Sequence, residues 1–386
     1  MKDDQLSTLL WQATLYTFVV LVVTGGFLTF FYVPDMTQVT YQGSYGLLRG
    51  VTVSRAFASS LDLSFEVRGG LLIRQIHHWA ALYFVAAICL QLLRLFFTRA
   101  FRRPRLLVWM VWVTLLPLGM VMSLTGSILP DDMLSGGSLR LTQGVVQSIP
   151  MVGTWLAGVI FDGAFPGTEI IGRVYWLHLA LPVLTAGLML YVWLRRTGRS
   201  VAPVRVFAAT AGLVTVMGAF VQINAIWQLG PYRPGSITAG AVPGWYMGFL
   251  DGAVRIMPGW EATVFGHTLT LAVLVPAVVV PGVFFTVLGL YPFVERRFPI
   301  SPATHVAVGA AGIAFYGLLW AAAANDQIAY NFHFSLFSVT WFFRVAVLVV
   351  PALVFVLVRK FAFQERQADE SGVIIMTPGG GFAGEH

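Results

Sequence analysis

The sequence predicts an all-α polytopic membrane protein with eight transmembrane helices, on three observations. First, hydrophobic residues make up 57% of the 386-residue chain and charged residues only 11%, with a mean hydropathy of +0.77. A soluble domain carries about a quarter of its residues charged, so this chain falls short by about half. Second, eight apolar stretches reach the ~20 residues that a helix needs to cross a bilayer. Third, Lys and Arg collect in alternate loops. The same composition excludes a disordered chain and a disulfide scaffold. Cys89 stands alone, so neither an intrachain disulfide nor a paired-cysteine cofactor attachment can form.

The spans, A to H in order, are expected at 8–33, 70–97, 105–129, 169–194, 203–225, 266–292, 302–323 and 336–358. Span A is too long for a removable signal peptide and lacks its small-residue cleavage site. Pro117, Pro182, Pro276, Pro281 and Pro351 fall inside spans, where neighbouring helices can satisfy the freed carbonyls; each reads as a kink. The B–C loop carries Arg99, Arg102, Arg103 and Arg105, and the D–E loop carries Arg195, Arg196, Arg199 and Arg205. Arg296 and Arg297 lie between F and G, and Arg359 and Lys360 end H. All these fall on one side, which is therefore cytoplasmic, with both termini. The net charge of +7 is thus topological and does not point to nucleic acid.

The opposite loops, 34–69, 130–168, 226–265 and 324–335, hold Asp35, Asp62, Glu66, Asp131, Asp132, Asp162, Asp251 and Asp326. Loops this long in a compact bundle suggest a function. Segment 138–160 has apolar stretches broken by Gly and Pro, which predicts short helices at the interface and not a ninth span. The polar tail 364–386 reads as a flexible terminus. No internal repeat and no Gly-rich phosphate loop is evident.

Ionisable groups inside spans are expensive and are functional candidates by default. His77 and His78 lie about seven residues into B from the outer surface, and His178 about nine into D, each roughly 10–14 Å deep. Two neutral imidazoles at one depth can bind a haem iron from both faces. The plainer reading, hydrogen bonding inside the bundle, stays open. Arg74, one turn above His77, favours haem because a propionate needs a cation there. His78 points about 100° away from His77 and cannot share its iron. His267 at the outer end of F and His305 at the inner end of G read as interfacial, and His333 falls in the short G–H loop.

Several segments are long and arbitrary in composition: VRGGLLIRQIHHWAALYF (67–84), ILPDDMLSGGSLR (128–140), VGTWLAGVIFDGAFPGT (152–168), QINAIWQLGPYRP (222–234), YPFVERRF (291–298) and ANDQIAYNFHFSL (324–336). On these the chain resembles the cytochrome b subunit of quinol:cytochrome c reductases (the bc1 or bcc family), in its actinobacterial form, over nearly its whole length. The resemblance implies a cytochrome b-like bundle with haem between B and D. Residues 1–200 would be the N-terminal haem-binding part, 201–363 the C-terminal part with the outer quinol-site loop, and 364–386 the cytoplasmic tail. It implies His77 and His178 as axial ligands of haem b, Arg74 at a propionate and Gly126 packed against the haem. It further implies a quinone pocket from Gly153, Thr154, Trp155, Pro243, Trp245 and Tyr246. The implied setting is a bacterial cell membrane, with menaquinone or menaquinol, membrane lipid, and Rieske iron–sulfur and cytochrome c subunits as partners.

The departures from the family pattern matter as much. The family holds a second haem near the inner face, with ligands about 14 residues further along B and D, a spacing that returns to within about 40° of the same helix face. Those positions are Gln91 on B and Val192 or Trp193 on D, and no histidine lies between His178 and His267. Glutamine and valine are no substitutes for haem ligands, so one outer-face haem is expected and the inner one is not. The family's outer motif, Pro-acid-aromatic-Tyr, reads Pro243-Gly244-Trp245-Tyr246, without its acid. Asp251 or Glu261 are alternative acids off the motif, and the two aromatics equally suit an interfacial belt.

Three functions follow. The preferred one is a diverged paralogue that keeps one b haem and a degenerate quinol site. It would sit in a menaquinol:cytochrome c reductase-like complex, paired with an intact cytochrome b or with Rieske and cytochrome c subunits. There it would serve assembly or limited electron transfer, and catalysis by the chain alone is not expected. The alternative is a fully active quinol-oxidising cytochrome b. A third, from another class, is a transporter or channel using the vacated inner haem cavity.

Overall fold

The computed structural model describes residues 5–102, 105–163, 165–195, 204–236, 244–264 and 267–371. Pro243, Arg103, Arg196, Arg199 and residues 372–386, which the sequence reading uses, lie outside the described residues. Among those described, seven helices are long and apolar enough to cross a membrane. They are α1 (Gln5–Thr29), α3 (Gly70–Phe97), α4 (Leu106–Ile128), α7 (Ile170–Arg195), the α11–α12 unit (Leu271–Leu274 and Val280–Arg297), α13 (Pro302–Ala322) and α15 (Leu336–Ser371). The expected span E is the shorter apolar helix α8 (Val204–Phe220). The protein is therefore an all-α membrane bundle, and the expected count of eight holds when α8 is included.

Between these run short elements on one end of the bundle. The strands β1 (Gln38–Thr40) and β2 (Thr52–Ser54) pair antiparallel, Gln38 opposite Ser54. Helix α2 (Arg55–Phe65) follows, its N-terminus capped by Ser54, whose Oγ accepts from the Phe57 amide. Segment 138–160 forms no ninth span: α5 (Met133–Gln147) and α6 (Gly153–Phe161) occupy it, with Asp132 capping α5 through the Ser135 amide. A side-chain oxygen there satisfies an amide that has no partner within the helix. Helices α9 (Ile226–Leu229), α10 (Gly248–Ile256) and α14 (Asn325–Asn331) complete this end.

Two details differ from the sequence reading. Span F does not begin at 266: a hairpin of β3 (Glu261–Val264) and β4 (His267–Thr270) comes first, so His267 sits in a strand. The span then widens into a π turn over Val275–Val279, which contains Pro276 and ends two residues before Pro281, and neither proline has an N–H for the carbonyl ladder. Pro117, Pro182 and Pro351 are carried within continuous helices. At the far end, α15 runs to Ser371, so residues 364–371 of the expected tail are helical.

The loops group by contact as the alternating topology requires. At the end called outer by the Lys/Arg rule, Ser54 Oγ donates to Asp131 Oδ2 at 2.6 Å. Asp132 bridges Pro231, and Arg255 pairs with Asp326 at 3.0 Å. At the other end Arg99 and Arg102 pair with the buried Glu295 at 3.0 and 2.9 Å. Helix α1 packs on α3, α4 on α7, and α3 on both α4 and α8, while α13 gathers α10 and α15. Large apolar side chains such as Val183, Leu348 and Phe337 face outward, a surface suited to lipid and not to water.

Candidate functional site

The sequence places His77 in α3 and His178 in α7, one helix from each packed pair, and the fold turns both rings into one cavity of about 430 Å³ in the outer half of the bundle. Their ring centres are 6.3 Å apart and their planes cross at 67°. A metal–imidazole bond is about 2 Å and the ring centre lies about 1 Å beyond the nitrogen, so two imidazoles on opposite faces of one ion have centres about 6 Å apart. Thr24 Oγ1 lies 2.9 Å from His77 Nδ1, and Thr125 Oγ1 lies 3.0 Å from His178 Nδ1. Each pair spans 53 residues. The cavity walls repeat at one constant offset along the chain, Gly25 with Gly126 and Ala81 with Pro182, so α1–α3 and α4–α7 form two like halves. The sequence shows no such repeat because the side chains that differ outnumber those that match.

Three features fit a flat, carboxylate-bearing group held by two histidines. A Cβ on Gly126 would stand 2.9 Å from His178 Cε1, and one on Gly25 would stand 3.1 Å from His77 Cε1; any larger residue would push the rings. At the outer rim Arg74 donates from a terminal nitrogen to Asn224 O at 3.2 Å, while its Nε is buried without a partner. A buried guanidinium nitrogen left unpaired is costly and suits an anionic ligand. The walls are otherwise mostly apolar. The residues present fit haem: His77 and His178 would hold its iron and Arg74 would face a propionate. His78 also lines the cavity, on a different face of α3.

At the inner level the equivalent positions carry other side chains. Gln91 is buried and its Nε2 donates to Ser7 Oγ at 3.2 Å. Val192, related to Gln91 by the same offset that relates the two histidines, is 2% exposed, and Trp193 packs less deeply against the core. Trp11 and Trp112 meet edge to face at 6.2 Å, and Trp109 is buried beside them in the same core.

The expected quinone-pocket residues are dispersed. Tyr246 is buried on the same cavity, in hydrogen-bond contact with Ser127 and Ser123, and burial pushes its hydroxyl up to about 12, so it stays protonated. Trp245 turns nearly perpendicular to it, at 85°, into a separate apolar slot of about 360 Å³ with Tyr316, Gly317 and Trp320. Gly153 is buried at the α5–α6 turn, where a Cβ would meet Val146 O at 2.5 Å, and Thr154 and Trp155 are exposed on α6. A Cβ on Gly244 would stand 2.5 Å from the Tyr246 ring. Of the alternative acids, Asp251 is held 2.7 Å from Arg255 and Glu261 is exposed on β3. Neither lines a described cavity.

Sequence reading missed three buried groups. Asp131, counted among loop acids, is 6% exposed, and burial raises its carboxyl to about 6 against the Ser54 hydrogen bond. Its neighbour Asp132 has an oxygen buried without a partner, and burial raises it too. The cap pattern of Asp132 three residues before Ser135 was readable; the fold over Asp131 was not. His305, in the first turn of α13 at the inner end of its span, is 1% exposed, with Nδ1 2.6 Å from the Tyr291 hydroxyl and Nε2 2.9 Å from Phe96 O.

This fold and site define a membrane bundle with two histidines facing across an apolar cavity. A family model described as cytochrome b(N-terminal)/b6/petB matches residues 82–231. The cytochrome bc1 complex cytochrome b subunit of Streptomyces coelicolor is 39% identical over 428 residues, covering 99% of this chain and 78% of that one. The same subunit of Mycobacterium tuberculosis is 42% identical over 426 residues, covering 98% and 77%, and that of Corynebacterium diphtheriae is 37% identical. A chain of a hyperthermophilic respiratory complex III shares the fold at a TM-score of 0.63 and 18% identity, covering 95% of this chain and 93% of that one. The chain belongs to the family of cytochrome b subunits of bc1 complexes.

Proposed function

We propose that this chain is a diverged cytochrome b of a menaquinol:cytochrome c reductase-like complex that keeps a single outer-face b haem and a degenerate quinol site. The observation that carries the reading is the contrast between two levels of one bundle. At the outer level two histidines face across a cavity at ligand spacing. At the inner level the equivalent positions are Gln91, turned to Ser7, and the buried Val192. Haem b, when bound, supplies a one-electron couple. His77 and His178 hold it, Arg74 balances a propionate, and the glycines at 25 and 126 leave the rings room to align. The motif acid is missing, Asp251 is engaged by Arg255, and the Tyr246 hydroxyl remains a neutral donor. The chain then lacks a positioned base for quinol oxidation, and its part is assembly or one-step transfer at the outer face. Partners of the Rieske and cytochrome c type, or an intact cytochrome b, follow from the family, and the side on which Lys and Arg collect supports an orientation with both termini cytoplasmic.

Full quinol-oxidising activity has one observation in its favour, the 37–42% identity to bc1 subunits. Against the channel reading stands the apolar, buried character of the inner level, where Val192, Trp11, Trp109 and Trp112 are all buried and offer an ion no charged group. The experiment is haem b per polypeptide in the purified complex, with the reduced-minus-oxidised spectrum of wild type and His77→Ala. One haem, lost in the variant, is the expected result. Two b haems on this chain, or a six-coordinate spectrum surviving in His77→Ala, would defeat the reading.

A further inference from the structure

We infer that Thr24 and Thr125 are a matched pair of positioning residues that decide which nitrogen of His77 and of His178 carries the proton and how each ring is turned; this rests on the reading that these histidines hold the haem. One proton per hydroxyl settles the direction of each bond. Thr24 Oγ1 donates to Val20 O at 2.6 Å. Thr125 Oγ1 donates to the carbonyls of Val121 and Met122, both at 2.9 Å. A hydroxyl whose hydrogen is committed to its own preceding turn can only accept from a third group. The contacts to His77 Nδ1 at 2.9 Å and His178 Nδ1 at 3.0 Å are therefore N–H donations from the rings. A neutral imidazole has one hydrogen, so in both histidines Nε2 keeps the lone pair.

The residue after each threonine completes the device. Gly25 and Gly126 clear the Cε1 edge of the same ring that the hydroxyl grips, at 3.1 and 2.9 Å for a hypothetical Cβ. A Thr-Gly dipeptide on α1 and another on α4 thus hold one ring each, at the same 53-residue separation. Outer partners of this kind orient a ligating histidine and tune its basicity, and losing one commonly costs about 10–100-fold in metal affinity. Valine has the shape of threonine without the acceptor. It would leave Nδ1–H buried and unpaired and free the ring to turn.

The test uses the detergent-extracted complex carrying Thr24→Val or Thr125→Val, with Thr24→Ser and Thr125→Ser as variants that keep the hydroxyl. Three quantities are read: haem transfer to apomyoglobin, the ferric low-spin EPR signal and the midpoint potential. Each valine variant is expected to release haem about tenfold faster or more, with a shifted EPR signal and potential, and each serine variant to match wild type. Valine variants with wild-type release and EPR signal overturn the inference. Should a valine variant fail to accumulate, the serine variant decides: a wild-type EPR signal supports the hydroxyl's role, and a shifted one overturns it. Wild-type protein without a six-coordinate haem band overturns both claims, and identifies the haem reading as the failed premise.

Discussion

Gly244 and Tyr246 share one volume: a Cβ on Gly244 would stand 2.5 Å from Tyr246 Cε1 and 3.0 Å from Cζ. The glycine backbone is ordinary, at φ −50° and ψ 146°, so it is the space beside it that calls for glycine. Tyr246 is 6% exposed and folded onto the cavity wall that carries Ser127. The missing acid and the buried tyrosine are thus one rearrangement.

Gly244→Asp alone is expected to give no order-of-magnitude rise in quinol-dependent haem reduction, because the new side chain and the Tyr246 ring cannot both keep this geometry. A positioned base is typically worth about 10²–10⁴-fold. Stopped-flow reduction of the haem by a menaquinol analogue measures this. A tenfold gain would show that the ring yields at little cost and that the carboxylate was the main loss.

Gln91→His is expected to leave haem content near one per chain. The equivalent position on α7, Val192, still offers no ligand, and the level remains apolar, with Trp11, Trp109 and Trp112 buried in the same core. Pyridine haemochrome analysis against protein mass decides it, and two haems in the single variant would contradict the packing argument.

Gly126→Val should lower haem occupancy severalfold while the bundle still assembles. Its Cβ falls 2.9 Å from His178 Cε1, a contact that must displace the ring, and overpacking a filled site costs about 1–3 kcal/mol. The Soret absorbance per chain and the thermal melt report the two effects separately. Full occupancy would mean that α4 and α7 can part.

Asp131 sets a pH dependence. Its folded pKa of about 6 lies above the usual value of about 3.9 for an unfolded chain. Between about pH 4 and pH 6 the folded state therefore keeps a proton that the unfolded state has released, and stability falls as pH rises through that window. Asp131→Asn, which still accepts from Ser54, should flatten the slope and raise the melting temperature at neutral pH. Some slope should persist from Asp132, raised in the same direction. An unchanged profile would assign the titration elsewhere.

Much of this was legible in the residues. Span limits, loop sides and the matched depth of His77 and His178 are properties of one helix at a time, set by hydropathy and by 1.5 Å per residue. The hydroxyls of Thr24 and Thr125 were not, since threonine inside an apolar helix ordinarily bonds its own preceding turn and only interhelical rotation shows what lies beyond. The burial of His305 was hidden for a like reason: its position in the chain gives its depth at the end of a span, but not that Tyr291 and the Phe96 carbonyl close over it. The choice between Val192 and Trp193 also waited on the like halves of the bundle, which put Val192 opposite Gln91. Span F was set too early because the apolar run through Leu269 belongs partly to a hairpin, a matter of pairing and not of hydropathy.

The inner level has an electrical meaning. Moving one elementary charge through 100 mV is worth about 2.3 kcal/mol, provided that the charge traverses the drop. On the one-haem reading, an electron held between His77 and His178 finds no second carrier deeper in this chain, where Gln91 and Val192 stand at the equivalent positions. Its arrival stores almost nothing against the membrane voltage. Such a chain trades electrons sideways along the outer surface and behaves, through the rest of its depth, as dielectric.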